Sequence, residues 1–193
     1  MALVSHEELL TERLSLRRPA PGDIDAIFTV HSDPLACAHN PSDSLATRVE
    51  AENLYRRWDE HWRNFGFGYW VIRRHAAEPQ LGFCGLKFMR LRQRRILNLF
   101  YRIAPPRWGE GIAGEAATEV VRWATTRFPA HPVVARVRPD NIASQRVAVR
   151  AGLARAEHLD DRGFDGFDLI FVCTWPGQGL SSVDPAVDVE GEP

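Results

Sequence analysis

Apolar residues change their spacing several times along this chain, and each change of period marks an expected element. From Arg13, "RLSLRRPA" alternates like a strand and stops at prolines, after which "PGDIDAIFTVHSD" offers an acidic N-cap and helical apolar spacing. "SLATRVEAENLYRRWDEHWRNFG" predicts a longer helix with Val49, Leu54, Trp58 and Trp62 on one face and Gly66 ending it. Two strand-like runs follow, "GYWVIRR" and "LGFCGLKFMRL", joined by "HAAEPQ", and a third, "RILNLFYRIA", comes after the basic link "RLRQRR". Together they predict an antiparallel meander. Ala113, Ala116, Ala117, Val120 and Ala124 then recur at helical spacing up to Pro129, and small residues of this kind let a helix lie close to a sheet. "HPVVARVR" predicts a strand, Asn141 caps a short helix "IASQRVAVRAG" that ends at Gly152, and "GFDLIFVCTW" predicts the last strand.

These elements give one α/β domain of the α+β type, residues 1–175, with a mixed, mainly antiparallel, twisted sheet flanked by helices. Residues 176–193 are rich in Pro, Gly, Ser and acids without a periodic apolar face, which predicts a flexible acidic tail. No internal repeat is visible. At 193 residues, with 45% hydrophobic and 25% charged residues, the chain suits one globular domain with a substantial core. A formal net charge of -1 argues against general nucleic-acid binding. Cys37, Cys84 and Cys173 are odd in number and far apart, as buried thiols of a reducing compartment are. The first residues lack a signal-peptide pattern and no stretch is long enough to span a membrane, so the expectation is a soluble cytoplasmic protein. The seven histidines show no metal-ligand spacing, and no hydrolase elbow is present. Lys87 is the only lysine, and no site follows from that. The cluster Arg90, Arg92, Arg94 and Arg95 is read as a solvated hairpin end.

One stretch changes the picture. "PPRWGEGIAGEAATEVVRWA", from Pro105 to Ala124, puts three glycines in a six-residue window and runs straight into a helix. Glycine permits left-handed angles and close approach, and the first turn of a helix carries unpaired N–H groups, so such a bend is a socket for an anion, usually phosphate. The plainer alternative is a strand-to-helix turn whose glycines only relieve crowding. Neither the G-x-x-x-x-G-K-[ST] loop nor the dinucleotide fingerprint is present. What remains is an ordered set: strand, proline-containing turn, W-G-E-G-I-A, small-faced helix, strand, N-x-x-S, short helix, A-G-L.

In that set the chain resembles the GNAT superfamily of acyl-CoA N-acyltransferases, most closely its RimJ/RimL type, the ribosomal-protein N-terminal acetyltransferases. "RLSLRRPAPGDIDAIF" is similar to that subfamily's opening strand and helix, "LGFCGL" to its central hairpin, "YRIAPPRWGEGIAGEA" to its cofactor turn and "RVRPDNIASQRVAVRAGL" to its second motif, covering about Arg13 to Trp175. The resemblance implies the GNAT fold and acetyl-CoA, or another acyl-CoA, as cofactor. In such enzymes the strand before the turn is splayed from its neighbour and pairs with the pantetheine arm, here Tyr101, Arg102 and Ile103. The pyrophosphate rests on successive N–H groups, here Trp108, Gly109, Glu110, Gly111, Ile112, Ala113 and Gly114. Asn141 corresponds to the asparagine near the pantetheine, beside its independent role as a helix cap. Trp108 stands where the wider superfamily has Gln or Arg, and Glu110 where a basic residue is frequent. A carboxylate there is unfavourable unless it turns away from the phosphates.

The implied reaction is attack of a neutral amine on a thioester, which asks for a base, an oxyanion donor and an acid for the thiolate. An α-amine titrates near ~8 and a lysine near ~10.4, so the former needs less help. The glutamate that many relatives carry on the strand before the turn is Asn98 here; the one five residues before the motif asparagine is Arg136, and the tyrosine seven residues after it is Ala148. Ser144 resembles the residue that protonates the leaving sulfur in the subfamily, and a first-turn helix polar role is the alternative. Glu157 or His158 is the candidate base, with an exposed loop position as the alternative for His158, while Tyr101 either donates to the oxyanion or packs. The acceptor is a protein N-terminus or a small-molecule amine, in a groove expected from Trp58 to Trp70, the segment around His39 and the loop from His158 to Phe167. Rival readings are a longer donor such as succinyl-CoA, favoured by Arg136 or Arg102 near the acyl end, and a non-catalytic acyl-CoA-binding module. A homodimer through the last strands fits the pattern, with no local signal for it.

Overall fold

The alternation at Leu14 and Leu16 makes a strand because both side chains are fully buried under neighbouring layers. The structure, a computed structural model, describes residues 8–75 and 79–173. In chain order these form β1 (Glu8–Leu10), β2 (Leu14–Arg17), α1 (Ile24–Ser32), α2 (Arg48–Phe65), β3 (Tyr69–Arg74), β4 (Gly82–Leu91), β5 (Arg94–Ile103), α3 (Ile112–Arg127), β6 (Val133–Val137), α4 (Ile142–Arg150), β7 (Leu153–Arg155), β8 (Asp161–Gly163) and β9 (Gly166–Cys173). The sheet runs β1-β2-β3-β4-β5-β6-β9-β7, with β8 joined to β9. Every pairing is antiparallel except β5 with β6. This is the mixed, mainly antiparallel sheet that the sequence predicts, flanked by four helices.

Local chemistry explains the helix limits. Thr47 caps α2 by accepting from the Glu50 N–H while the Glu50 carboxylate accepts from the Thr47 and Ala46 N–H groups, an arrangement worth about 1 kcal/mol. Gly66 ends the helix at φ 73°, a left-handed angle that glycine adopts without strain. Trp58 and Trp62 are buried as expected, whereas Val49 is 60% exposed: Ala51 in the same turn is fully buried, and at 100° per residue Val49 points away from the face that Ala51, Trp58 and Trp62 share. In α3, Ala116, Ala117, Val120 and Ala124 are fully buried against the sheet.

The expected link "RLRQRR" is mostly strand. Only Arg92 and Gln93 turn, both at positive φ, and β4 and β5 form one long hairpin around them. The arginines at its tip are exposed, with Arg95 stacked over Phe88 at 3.8 Å. Strands β1, β7 and β8 were not apparent in the sequence. Each has only three residues, too few for a periodic signal, and each forms by pairing with a strand already in place.

Strand β5 presents two faces. Leu97, Leu99, Tyr101 and Ile103 pack into the larger core with α3, while Phe100 joins the cluster of Ile27, Val30, Trp58 and Phe83 from α1, α2 and β4. A cleft opens on each side of this strand's free end.

Candidate active site

The β5–β6 ladder consists of Leu97 with Val133 and Asn98 with Val134, and beyond these two pairs the strands diverge. Successive residues of a strand aim their backbone groups to opposite sides. The Leu97 N–H faces β6, donating to the Pro132 carbonyl at 2.9 Å, so Leu99, Tyr101 and Ile103 also face outward into the gap. Asn98, Phe100 and Arg102 face β4 and are used in its ladder. The backbone of Arg102 is therefore unavailable to a pantetheine arm, against the expectation. Ile103 offers its N–H alone, because its carbonyl accepts from the Trp108 indole at 2.8 Å.

At the end of this gap lies the glycine turn. Gly109 and Gly111 take φ 82° and 77°, and Gly111 is the N-cap of α3. Among the described residues, no carbonyl or side chain accepts from the N–H groups of Gly109 to Gly114. Unpaired donors at the positive end of a 16-residue helix form an anion socket, and they fit the pyrophosphate of a CoA-type cofactor. The cleft, about 680 Å³, is lined by all the expected cofactor residues except Glu110. Glu110 turns away: its carboxylate pairs with Arg74 at 2.6 Å and Arg107 at 3.6 Å. Glu115, in the first turn of α3, is held by Arg13 and Thr11. Burial raises the Glu115 pKa, but those hydrogen bonds outweigh it and hold the carboxyl below its ordinary range. Arg13 also donates to the Glu110 carbonyl at 3.1 Å, bracing the turn from behind. Gly114 packs against Arg150, whose Cδ would lie 2.9 Å from an added Cβ.

Asn141 acts as the helix cap, its side chain accepting from the Ser144 N–H at 3.0 Å, and it lines the same cleft. Ser144 Oγ lies 2.7 Å from the Tyr101 hydroxyl, which also reaches the Ser144 carbonyl at 2.8 Å. Burial pushes the Tyr101 pKa up, so its hydroxyl stays protonated and the pair forms a short neutral relay.

A second cleft of about 540 Å³ opens on the α1–α2 face and shares Asn40, Leu99, Phe100 and Arg136 with the first. Leu54, Trp58, His61 and Tyr69 line it, as expected of the Trp58–Trp70 region, and Asn40, Ser42 and Asp43 supply the part predicted near His39. Asp43 pairs with Arg102 at 2.8 Å, and Ser42 donates to Asp165, tying this strap to the β8–β9 hairpin. Asp168 is gripped by Arg136 and Arg138, each at 3.1 Å. His31 donates from Nδ1 to the Ile27 carbonyl, and burial, with the Arg102 charge added, drops its pKa to about 3. His61 bonds the Phe67 carbonyl through Nδ1 and accepts the Phe88 N–H at Nε2, an edge amide left free where β3 ends.

The candidate bases Glu157 and His158 line neither cleft. Their turn is anchored by Ala156 and Leu159 in the small cluster with Ile96 and Ile170, leaving both side chains exposed. Of the loop from His158 to Phe167, no residue lines the acceptor cleft; Asp168 does. The sequence reading missed Arg13, Arg74, Arg146 and Arg150. Arg146 and Arg150 lie one turn apart on α4 and both line the cofactor cleft, and that spacing beside the N-x-x-S motif was their available signal.

The sequence model of the family described as "Acetyltransferase (GNAT) domain" matches residues 13–154. The chain belongs to the GNAT acetyltransferase family. Its cofactor is therefore acetyl-CoA, and it is an acyl-CoA-dependent acetyltransferase. A protein of Bacillus subtilis (strain 168) described as "Uncharacterized N-acetyltransferase YoaA" is 24% identical over 147 residues, 76% of this chain and 82% of that one. The fold is similar to that of an acetyltransferase from Agrobacterium tumefaciens str. C58, with a TM-score of 0.73 at 24% identity over 86% of this chain and 94% of that one. It is also similar to RimL, the ribosomal L7/L12 α-N-protein acetyltransferase solved in complex with coenzyme A, with a TM-score of 0.67 at 15% identity over 86% and 97% of the two chains.

Proposed function

We propose that this GNAT acetyltransferase moves the acetyl group of acetyl-CoA to a primary amine, a small molecule or a peptide N-terminus, by direct attack. The observation that carries this reading is the meeting of the two clefts at Leu99 and Phe100, beside the Tyr101–Ser144 hydroxyl pair. When bound, the cofactor supplies a thioester carbonyl that the amine attacks as the carbon–sulfur bond breaks. Tyr101 and Ile103 offer outward backbone groups to the pantetheine arm, and the turn from Gly109 to Gly114 takes the pyrophosphate. Ser144 Oγ–H, backed by the Tyr101 hydroxyl, delivers a proton to the departing thiolate. The exposed Glu157 and His158 have no part in this relay.

Proton removal from the ammonium needs a group whose affinity for protons is near that of the amine. His31, with a pKa of about 3, falls far short, and Asp43 and Asp168 are committed to arginines. The amine then reacts as its free-base fraction, with its proton lost to water. The reading places a single acyltransferase domain, residues 1–175, in the cytoplasm, in keeping with three buried cysteines outside any disulfide. It extends to a homodimer through the last strands, where β7 closes the sheet's path.

The experiment is release of free thiol from acetyl-CoA and, in parallel, succinyl-CoA over a panel of small amines and N-terminal peptides. The expected result is acetyl transfer whose kcat/KM rises about tenfold per pH unit below the amine pKa, near ~8 for an α-amine. Tight cofactor binding with no thiol released by any amine would overturn the enzyme reading in favour of a binding module.

A further inference from the structure

Two observations in the acceptor cleft bear on which amine it takes, given the reading of that cleft as the amine site. The first is its charge balance. Neither carboxylate lining it is uncommitted: Asp43 is paired with Arg102, and Asp168 lies between Arg136 and Arg138. Lys87 and Arg57 also line the cleft, both exposed, and among the described residues neither makes an ion pair. Neither histidine changes the count. His61 is neutral with both ring nitrogens bonded, its pKa lowered by burial and further by the Lys87 charge across the cleft; burial keeps His31 neutral too. A ligand entering here meets two uncompensated cations and no uncompensated anion, a poor setting for a diamine or polyamine and a good one for an anionic group.

The second observation is a single atom. Asn98 Oδ1 is buried in the cleft wall and accepts no hydrogen bond, although a buried carbonyl oxygen is costly to leave unpaired. Asn98 lies on the same face of β5 as Phe100, which lines both clefts. Its Oδ1 is closed off in the present rotamer, and a turn of the amide about its last side-chain bond brings that oxygen to the cleft to accept an N–H of the attacking amine. In the β4–β5 register Asn98 lies directly opposite Lys87, and such cross-strand partners have Cβ atoms about 5 Å apart. Acceptor for the amine and cation for the anion therefore stand side by side.

We propose that the acceptor is a compact primary amine carrying its own anionic group, a carboxylate or a phosphate, within a few bonds of the nitrogen. Asn98 Oδ1 orients the amine, and Lys87 and Arg57 hold the anion. Asn98 thus replaces a charged base with a neutral acceptor, which leaves the amine free to deprotonate to water while it is held in line.

The test is equilibrium binding to the CoA-saturated protein of matched pairs that differ in charge: β-alanine against its amide, O-phosphoethanolamine against ethanolamine, and 1,3-diaminopropane as the dication. Binding needs no turnover, so this result is distinct from the thiol-release assay, and a protein that transfers no acetyl group still reports its charge preference. The expected outcome is that one anionic amine binds about tenfold or more tightly than its neutral partner and than the diamine, with the ratio shrinking at high salt. The first pair winning assigns a carboxylate and the second a phosphate. Lys87→Gln with Arg57→Gln collapses the ratio, with thermal melting to verify that the double variant folds. Asn98→Leu weakens the charged and neutral members alike, and in turnover lowers kcat more than it raises KM. Anionic amines that bind no better than their neutral partners, or that do not bind, overturn the proposal, as does a preference that survives loss of both cations.

Discussion

The two clefts that meet at Leu99 are written in different parts of the chain's chemistry. The cofactor socket is made of backbone, six consecutive N–H groups set by two left-handed glycines and a helix start. The acceptor cleft is made of side chains, from His31 in α1 to Asp168 in β9, and no two adjacent elements account for it. A backbone socket tolerates change in its side chains, so its signature stays local and readable. A side-chain cleft holds its chemistry in residues that mean little one at a time.

The largest expected effect breaks the backbone side. Gly111→Trp forces a side chain onto a φ of 77° and drives it against Arg13, whose Nη2 would lie 3.4 Å from the new Cβ, so the turn shifts and CoA affinity should fall by about 100-fold or more, while stability drops by about 1–2 kcal/mol. Titration of CoA into the variant checks this, and undiminished affinity would remove the socket assignment. Next comes the hydroxyl relay at the junction. Ser144→Ala should lower kcat by about 10–100-fold for every amine with CoA affinity nearly unchanged, and Tyr101→Phe should lower it less, since Ser144 keeps its own proton. A loss confined to one amine would move Ser144 from the chemistry to acceptor recognition.

The third prediction sharpens the acceptor side. The folded pKa of His31 is about 3 against ~6.5 unfolded, so between those values the unfolded chain binds a proton that the folded one does not. Stability should therefore fall as pH drops through that window, by up to about 1.4 kcal/mol per unit from this group, with no contribution above it. Urea midpoints of wild type and His31→Gln compared between pH 7 and 5 isolate the term from the carboxylates, and parallel curves would mean that the ring is not held neutral by burial. The smallest effect lies outside both clefts. Gln93→Gly relieves a positive φ at the β4–β5 turn and should stabilise the fold by about 0.5–1 kcal/mol in thermal melts, with CoA affinity untouched.

Legibility in the sequence followed the same division. The prolines and glycines around residues 105–114, the small face of α3 and the Asn141 cap announced the turn, the helix and the second motif, because each acts through neighbours in the chain. The role of Arg102 did not read correctly, since which residues of β5 face the gap depends on how β4 pairs with it. Glu157 and His158 looked available as bases because they fall near the subfamily's acidic position on the following strand, yet the packing of Ala156 and Leu159 turns them out. Glu110 looked like a flaw beside a pyrophosphate, and its partner Arg74 lies on β3, 36 residues away. Lys87, unremarkable as the only lysine, acquires meaning from Asn98 across the hairpin and from the pairing of both carboxylates that line the cleft.

The sequence by itself determined the elements, the glycine socket and the family, because periodicity, capping and positive-φ glycines are local properties of the backbone. Only the tertiary structure decided which charges are neutralised, which backbone groups face the gap and which residues line the second cleft. Those depend on strand register and on ion pairs closed between distant segments, and a linear pattern does not carry such distances.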